Sequence, residues 1–321
     1  MDARVQRLVA SCHAGPAVSA GRLRVVPLVS DDDGGPSPEP VARLHPDEPL
    51  NLSEREGDAR VEEVQAFNGT ARDVIVLEGE LLAGGFQDRM VSASCLLRRR
   101  TAGILATTCS EEGRFDGQDP QFQVSGRMAS PRYRRRLRLG LHNQSQPDQP
   151  APRQRMIWDD IDLDRQTLGE PEEGLSLLHL RQVTAGRCRD LAAPLRATVK
   201  ACGWLVFVDH RFVAGDLFAG ARLAAGYATP LLEAAAFDAL LDSLRESSNG
   251  DSSDAMPSGQ WEDLGAELDG ALVVRQDMGT GTSRLCFDSP ALTGTTLIHN
   301  GQPLHLSFFP AIYAEDVDSM S

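Results

Sequence analysis

The chain has 321 residues and a formal net charge of −14 at pH 7, with 41% hydrophobic and 24% charged residues. This is the composition of a folded globular protein, and the negative charge disfavours a general binder of nucleic acid or of anionic membranes, because it repels polyanions. No stretch approaches the roughly 20 apolar residues that cross a bilayer. The opening MDARVQRLVASCHAG lacks the apolar core of a secretory signal.

The cysteines indicate a reducing compartment. The six are scattered along the chain and none forms a CxxC pair, which argues against a zinc ribbon or a disulfide framework. The sequence therefore predicts free thiols, a cytoplasmic location and no metal site, and it leaves any cofactor unknown.

The first half of the chain predicts a mostly antiparallel sheet. RVQRLVASCH is typical of a short helix, and the Pro-, Gly- and Asp-rich segment 31–49 predicts a flexible loop. After this loop come strand-like runs separated by turn signals, such as Asn68-Gly69. Their sequences are ARVEEVQAF, VIVLEGELL, MVSASCLL and GILATTCS.

The second half mixes helices and strands. RQRMIWDDID predicts a helix and GWLVFVDHRFVAGDLF a strand, a turn and a strand, while RLAAGYATPLLEAAAFDALLDSLRE predicts an amphipathic helix with Pro230 in its first turn. Segments 140–153 and 247–259 are predicted to be flexible. The element order predicts an α+β protein. We expect one domain over 1–321, with a β-rich lobe at 20–165 and an α+β lobe at 175–310.

The chain contains a basic cluster and two acidic runs, and each type of charged segment allows two interpretations. The basic cluster Arg132–Arg138, in RYRRRLR, predicts either a solvated loop or strand face, or an anion clamp in which guanidinium groups grip phosphate. The acidic runs at 31–33 and 159–164 predict solvated loops. A divalent-cation site is the alternative, although neither run has the glycine and terminal glutamate of a calcium loop.

Chemistry-bearing residues concentrate in GELLAGGFQDR and TTCSEEGRF. The Gly84-Gly85 pair permits backbone conformations that other residues avoid, and Gln87 and Arg89 share a parity that places them on one face of a strand. If the two segments pair, a thiol, carboxylates, a carboxamide and arginines meet at one sheet end, a combination suited to an anionic ligand and acid–base chemistry. Alternatively, each arginine pairs with a neighbouring glutamate.

Two residues near the C-terminal half also carry alternatives. Asp216, at a strand exit before Phe218, predicts a helix cap or a catalytic carboxylate. His305 alternates with Leu304 and Leu306, which predicts a hydrogen-bonded histidine within a sheet or, failing that, a site residue.

Five ordered motifs carry a family resemblance. GELLAGGFQDRMVSASCLL resembles a GE-x-hydrophobic-x-GakQnR segment, CSEEGRF a C-x-E-x-GRW segment, and Gln154 and Trp158 a Q-x-x-x-W stretch. GWLVFVDHRFVAGDLF and QPLHLSFF are similar to the strand–turn–strand-D-x-F and terminal vHls-F segments of the same family. Together they resemble the ADP-ribosylglycohydrolase- and rhodanese/phosphatase-superfamily-associated protein domain, from about Leu23 to Phe309.

The resemblance implies a link to bacterial NAD and ADP-ribose metabolism and to ADP-ribosylglycohydrolase-type enzymes. It implies three catalytic residues, Glu80, Cys109 and Glu111. The substrate-binding residues that it implies are Gln87, Arg89, Arg114, Phe115, Gln154, Trp158, Asp216 and His305. The chain departs from the family pattern in three places: Phe115 replaces a tryptophan, Asp88 an asparagine, and Gly85-Phe86 a small residue followed by lysine.

Three functions fit this resemblance. The first is an enzyme, a hydrolase or transferase, acting on an ADP-ribose- or NAD-derived small molecule. In this enzyme Glu111 or Glu80 is the general acid/base, the arginines hold anionic oxygens, Gln87 orients the substrate, and Trp158 or Phe115 stacks on a ring. The second is a non-catalytic sensor or binding module for the same ligand class. The third is a structural or interaction protein in which the polar cluster fixes the strand register.

Overall fold

The computed structural model describes residues 2–31, 37–45, 47–55, 57, 60–113, 119–138, 152–171, 176–197, 201–246 and 261–311. Two predicted site residues, Arg114 and Phe115, lie outside these ranges. So do the predicted flexible segment 247–259 and most of segment 140–153. Segment 31–49 is described in part and contains a short strand and a 3-10 turn.

Helices and strands alternate irregularly along the chain, and strands dominate the first half, which confirms the predicted α+β class. The described residues form the helices α1 Ala3–Ala10, α2 Pro131–Arg136, α3 Pro152–Leu168, α4 Leu177–Val183, α5 Ala185–Ala192, α6 Ala221–Glu246 and α7 Trp261–Gly270. Two 3-10 turns cover Val41–Arg43 and Ala193–Ala197.

Most strands pair antiparallel with their neighbours. The strands are β1 Cys12–Ala14, β2 Val18–Ala20, β3 Leu23–Ser30, β4 Glu39–Pro40, β5 Leu50–Ser53, β6 Glu63–Asn68, β7 Val74–Val76, β8 Glu80–Gly84, β9 Arg89–Val91, β10 Cys95–Leu97, β11 Thr101–Cys109, β12 Gln121–Met128, β13 Ala201–Val208, β14 Arg211–Phe218, β15 Leu272–Asp277, β16 Thr282–Asp288, β17 Leu292–His299 and β18 Gln302–Pro310.

The chain divides into two compact units. The open-sheet unit comprises Met1–Ser37, Pro194–Ala225 and Ser252–Ser321. Its sheet has the strand order β1-β3-β13-β14-β18-β17-β16-β15, with β2 also paired to β3. Large apolar side chains such as Leu217, Leu306 and Phe308 form the core of this unit, because they alternate with the polar residues of their strands.

The closed-sheet unit comprises Pro38–Ala193 and Gly226–Asp251. Six of its strands close on themselves in the order β11-β6-β5-β12-β8-β9, and β10, β7 and β4 form a separate small sheet. The inward side chains of both sheets make one apolar cluster, in which Val64, Val76 and Leu105 are fully or almost fully buried.

The predicted amphipathic helix is present as α6 but differs in detail. It begins at Ala221, so Pro230 lies inside the helix and not in its first turn. The helix is also buried on most of its circumference instead of on one face, because alanines and leucines occupy nearly every position of its middle turns. No helix in the described ranges is long and apolar enough to cross a membrane.

The basic cluster is neither a loop nor an anion clamp. Residues 131–136 form α2, and four arginines of the cluster pair with acidic side chains of the same unit: Arg132, Arg134, Arg136 and Arg138. Arg138 and Arg134 reach the fully buried Glu78, the latter at 3.9 Å. Arg132 pairs with Asp164, which also accepts from Tyr133 at 2.7 Å.

The acidic run 159–164 belongs to this same ion-pair network. It lies in α3, where Asp160 and Asp164 face α2 and are almost fully buried. Arg136 donates to Asp160 at 3.0 Å. The prediction of a solvated loop was therefore wrong for this run, since helical spacing placed two of its carboxylates against arginines of a neighbouring helix.

Candidate functional site

The Gly84-Gly85 pair forms the turn that leads into the candidate site. Both glycines have positive φ values, 101° and 59°. A Cβ atom on Gly85 would lie 2.1 Å from Cζ of Phe122, so no larger residue fits there without rearrangement. The Gly84 N–H donates to Asp88 Oδ1 at 3.0 Å and fixes the start of the following segment. This segment, FQDR, carries the predicted site residues into β9.

Strand pairing then assembles most of the predicted residues. β9 runs antiparallel to β11, with Arg89 directly opposite Cys109. Gln87 and Glu111 lie just beyond this pair, and the Gln87 Nε2 donates to the Glu111 carbonyl at 3.4 Å. The Gln87 Oε1 accepts from Arg89 Nη1 at 3.0 Å, in agreement with the shared strand face predicted for these two residues.

Arg89 is fully buried and bound within the protein. Its Nη2 donates to Glu54 Oε1 at 3.2 Å, and its guanidinium lies 5.9 Å from the centre of the Phe122 ring. Glu54 also accepts from the Phe86 N–H at 3.1 Å. Nothing in the sequence marked Glu54, because it follows a short strand with no motif around it. The guanidinium therefore holds Gln87 in place and faces no solvent.

Cys109 is held as a neutral thiol. Its Sγ donates to the Glu111 carbonyl at 2.8 Å and lies 3.3 Å from Gln87 Oε1. Burial raises the pKa of this thiol above its ordinary value and outweighs the lowering by the Glu111 backbone and by Arg89. At neutral pH the side chain is thus a proton donor and a poor nucleophile.

We expect Cys109 to resist alkylation in the native protein. At neutral pH its reaction with iodoacetamide should be at least about tenfold slower than that of an unfolded cysteine, because the thiolate is rare and enclosed. Mass spectrometry of the peptide that contains Cys109 measures the rate, with protein in concentrated urea as the reference. Equal rates in the two states would contradict this assignment.

Glu111 lies at the exit of β11, where its carboxylate is fixed by backbone. Its Oε2 accepts from the Asp88 N–H at 2.9 Å, and only 7% of the residue is exposed. Asp88 in turn accepts from the Ser176 hydroxyl at 2.7 Å through Oδ2, so both of its oxygens are used. An asparagine, the family's residue, offers only one such oxygen. Aspartate at position 88 therefore provides both acceptors that this turn uses.

Gln154 and Trp158 reach the site from α3. Gln154 accepts from the Cys109 N–H at 3.0 Å and from the Thr108 hydroxyl at 2.5 Å, and its Nε2 donates to the Cys109 carbonyl at 2.9 Å. Trp158 lies one turn later on the same helix. Its buried indole N–H has no hydrogen-bond partner among the described residues, but it lies near enough to the Cys109 thiol to lower the pKa of that group.

Glu80 is not part of this hydrogen-bonded cluster. It lies at the start of β8, fully buried, and neither of its carboxylate oxygens has a hydrogen-bond partner among the described residues. Burial alone raises the pKa of Glu80 to about 8. The side chain is therefore protonated at neutral pH.

Asp216 and His305 form a separate pair in the open-sheet unit. Their strands β14 and β18 are neighbours, and His305 Nε2 lies 2.9 Å from Asp216 Oδ1 with both side chains buried. The Phe218 ring lies against the imidazole, with 4.6 Å between ring centres. Asp216 is thus not a helix cap, while the prediction of a hydrogen-bonded sheet histidine is confirmed.

A cavity of about 280 Å³ opens in the closed-sheet unit. Apolar side chains, including Leu44, Leu52 and Val124, make up much of its lining, and His45 and Glu48 contribute polar groups. Phe122 lines this cavity and also lies against Arg89. Among the described residues, no group of three or more His, Cys, Asp or Glu side chains has an arrangement that would hold a metal ion.

Comparison with known proteins identifies the family of the chain. Neither a curated protein nor a solved structure matches it. The sequence model of the ARG and Rhodanese-Phosphatase-superfamily-associated Protein domain, ARPP-1, matches residues 11–309. This span includes the cluster of Gln87, Arg89, Cys109 and Glu111 and also the Asp216–His305 pair. The five motifs lie within it. The chain therefore belongs to the ARPP-1 domain family.

Proposed function

We propose that the protein is a hydrolase that acts on an ADP-ribose- or NAD-derived small molecule, with Glu111 as the general acid/base. The position of the Glu111 carboxylate carries this proposal. It lies at a strand exit, slightly exposed and oriented by the Asp88 N–H, and the backbone carbonyl of the same residue accepts from the Cys109 thiol and the Gln87 carboxamide. A carboxylate fixed in this way suits proton transfer to and from a bound substrate.

The other residues of the cluster have supporting roles in this proposal. Gln87 orients the substrate, and Arg89 positions Gln87 through the 3.0 Å hydrogen bond. Gln154 fixes the backbone of Cys109, and the indole of Trp158 offers a ring face. Arg114 stays the predicted ligand of anionic oxygens, with Phe115 as a stacking partner.

In the proposed reaction one carboxylate acts first as a general base and then as a general acid. Glu111 takes a proton from water as the water oxygen bonds to the reacting carbon or phosphorus, and it returns a proton to the leaving group as that bond breaks. Glu80 has no place in this step, because both of its oxygens are enclosed. Asp216 and His305 belong to the other compact unit and take no part in this step.

Replacing Glu111 with glutamine tests this proposal. With ADP-ribose and NAD as substrates, E111Q should lower kcat by about 10²–10⁴-fold, because it removes the proton acceptor and keeps the shape of the side chain. Chromatography of the products measures turnover, and calorimetry of ligand binding should show Kd within a few-fold of wild type. E112Q is the matched control, since Glu112 is the next residue and is exposed. Full activity of E111Q would overturn the proposed role.

A binding module without catalysis is the second candidate. One observation concerns the 280 Å³ cavity, which is lined by Phe122, the residue whose ring lies against Arg89. Neither Glu111 nor Cys109 is among the described residues that line this cavity, and this favours a binding module. Binding of ADP-ribose or NAD with no turnover of either compound would select this function. If neither compound binds or raises Tm, the structural role becomes the best account, and the buried Arg89–Glu54 ion pair then serves to lock the strand register.

The family context extends the proposal to cellular partners. The family's name associates this domain with ARG and rhodanese-phosphatase proteins. We infer a cytoplasmic protein that works alongside ADP-ribosylglycohydrolase-type enzymes on a common small molecule. Its acidic charge agrees with a ligand that is small and not a nucleic acid.

A further inference from the structure

Two cysteines of the open-sheet unit lie in contact. Cys12 is the first residue of β1 and Cys202 the second residue of β13, and these strands flank β3 on opposite sides. Their Sγ atoms are 3.4 Å apart, within the contact distance of two sulfur atoms, although the residues are 190 positions apart in the sequence. Both residues are buried, and neither has a role in the function proposed above.

The two sulfur atoms have different hydrogen-bond partners. Cys202 Sγ donates to the Leu28 carbonyl at 3.3 Å, and Cys12 Sγ lies 3.3 Å from the Leu8 carbonyl and 3.8 Å from the Ser11 hydroxyl. The contact with Cys202 lowers the pKa of Cys12, and the same contact, together with burial, raises the pKa of Cys202. Cys12 is 7% exposed and Cys202 2% exposed, so Cys12 is the thiol that an oxidant reaches more readily.

We propose that Cys12 and Cys202 form a redox-active dithiol that hydrogen peroxide oxidises to an intramolecular disulfide. A disulfide bond is about 2.05 Å long, so the sulfur atoms must approach each other by little more than 1 Å. The approach requires β1, a three-residue strand at the edge of the sheet, to shift toward β13. A register shift between Ala201 and Gly203 also places Cys202 at an irregular point of β13.

The oxidation balances with peroxide as the only oxidant. The Cys12 thiolate attacks one peroxide oxygen, the S–O bond forms, the O–O bond breaks, and hydroxide leaves to be protonated to water. The Cys202 sulfur then attacks the Cys12 sulfenic acid, the S–S bond forms, the S–O bond breaks, and the second hydroxide leaves as water with the Cys202 proton. Two thiols and one peroxide give one disulfide and two waters.

The disulfide would fasten the first helix and strand to the centre of the sheet. β1 is joined to the sheet by its pairing with β3. α1 contacts β18 and α7. A covalent link across a loop this long restricts the unfolded chain strongly. The oxidised protein should therefore show a higher Tm than the reduced protein, and a reductant should reverse the change.

Thiol counting on the full chain tests the proposal. Reduced protein is desalted, treated with hydrogen peroxide, unfolded, and alkylated with N-ethylmaleimide. We expect four of the six cysteines to be alkylated and one disulfide-linked peptide pair, containing Cys12 and Cys202, in the digest. Alkylation of all six thiols, a mixture of unrelated disulfides, or Cys12 found only as sulfinic acid would each overturn the proposal.

Two variants add to the test. The thiol count on the wild-type protein can be interpreted without them. In C202S, Cys12 should stop at sulfenic acid and be trapped by dimedone, because the resolving thiol is missing. C286S removes a buried cysteine of the same unit outside the pair, and it should form the disulfide as wild type does. A disulfide that is lost in C286S, or retained in C202S, would contradict the assignment of the pair.

Discussion

Replacing Glu80 with glutamine should stabilise the protein at neutral and alkaline pH, because it removes a buried carboxyl group that has no hydrogen-bond partner among the described residues. The pKa of Glu80 rises from 4.5 to about 8 on folding. The stability that the group contributes is therefore fully present below pH 4.5 and is lost as the pH rises through about 8. Near pH 8 the gain in E80Q should be a few kcal/mol, with about 5 kcal/mol as the upper bound.

Urea unfolding of wild type and E80Q across this pH range measures the effect. The two free energies of unfolding should be similar at the acid end and separate as the pH rises. E78Q is a control of opposite sign, since Glu78 is equally buried but pairs with Arg134 and Arg138. E78Q should destabilise the protein, because it leaves buried guanidinium groups without their carboxylate. A constant difference between E80Q and wild type at every pH would contradict the prediction.

The second large effect is expected at Asp164, the centre of the ion-pair network between α2 and α3. This fully buried carboxylate accepts from Arg132, from Tyr133 at 2.7 Å and from Arg245 at 2.5 Å. D164N should lower the free energy of unfolding by about 3–5 kcal/mol, because the arginines lose their counter-charge inside the protein. Urea unfolding at neutral pH measures this loss.

D162N provides the matched control for this change. Asp162 lies on the same helix, and its side chain is 40% exposed and pairs with Arg165 at 2.8 Å. Removing its charge should cost less than about 1 kcal/mol, since water screens an exposed pair. Equal losses in D162N and D164N would show that helix propensity, and not the buried network, determines the effect.

The sequence predicted the cluster around Glu111 because local rules apply there. Alternation along a strand places Gln87 and Arg89 on one face, and the Gly-Gly pair indicates the sharp turn before them. The two polar segments sit at the ends of strands that pair, so Arg89 and Cys109 face each other across the ladder. These features need only the period of a strand and the conformational freedom of glycine.

Other features depend on contacts between distant parts of the chain. Glu54 neutralises Arg89 from 35 residues away, and no motif marks it. The basic cluster looked solvated, because the carboxylates that bury it come from Glu78 and from two helices later in the sequence. Asp216 and His305 are diagonal neighbours on adjacent strands, so their hydrogen bond depends on a register that neither segment specifies alone.

The choice of arginine in the network around α2 has a consequence for alkaline solutions. A guanidinium group keeps its proton in proteins throughout the accessible pH range, whereas an ammonium group can lose it. The attachment of α2 through Arg132, Arg134 and Arg138 should therefore keep its positive charges in alkaline solution.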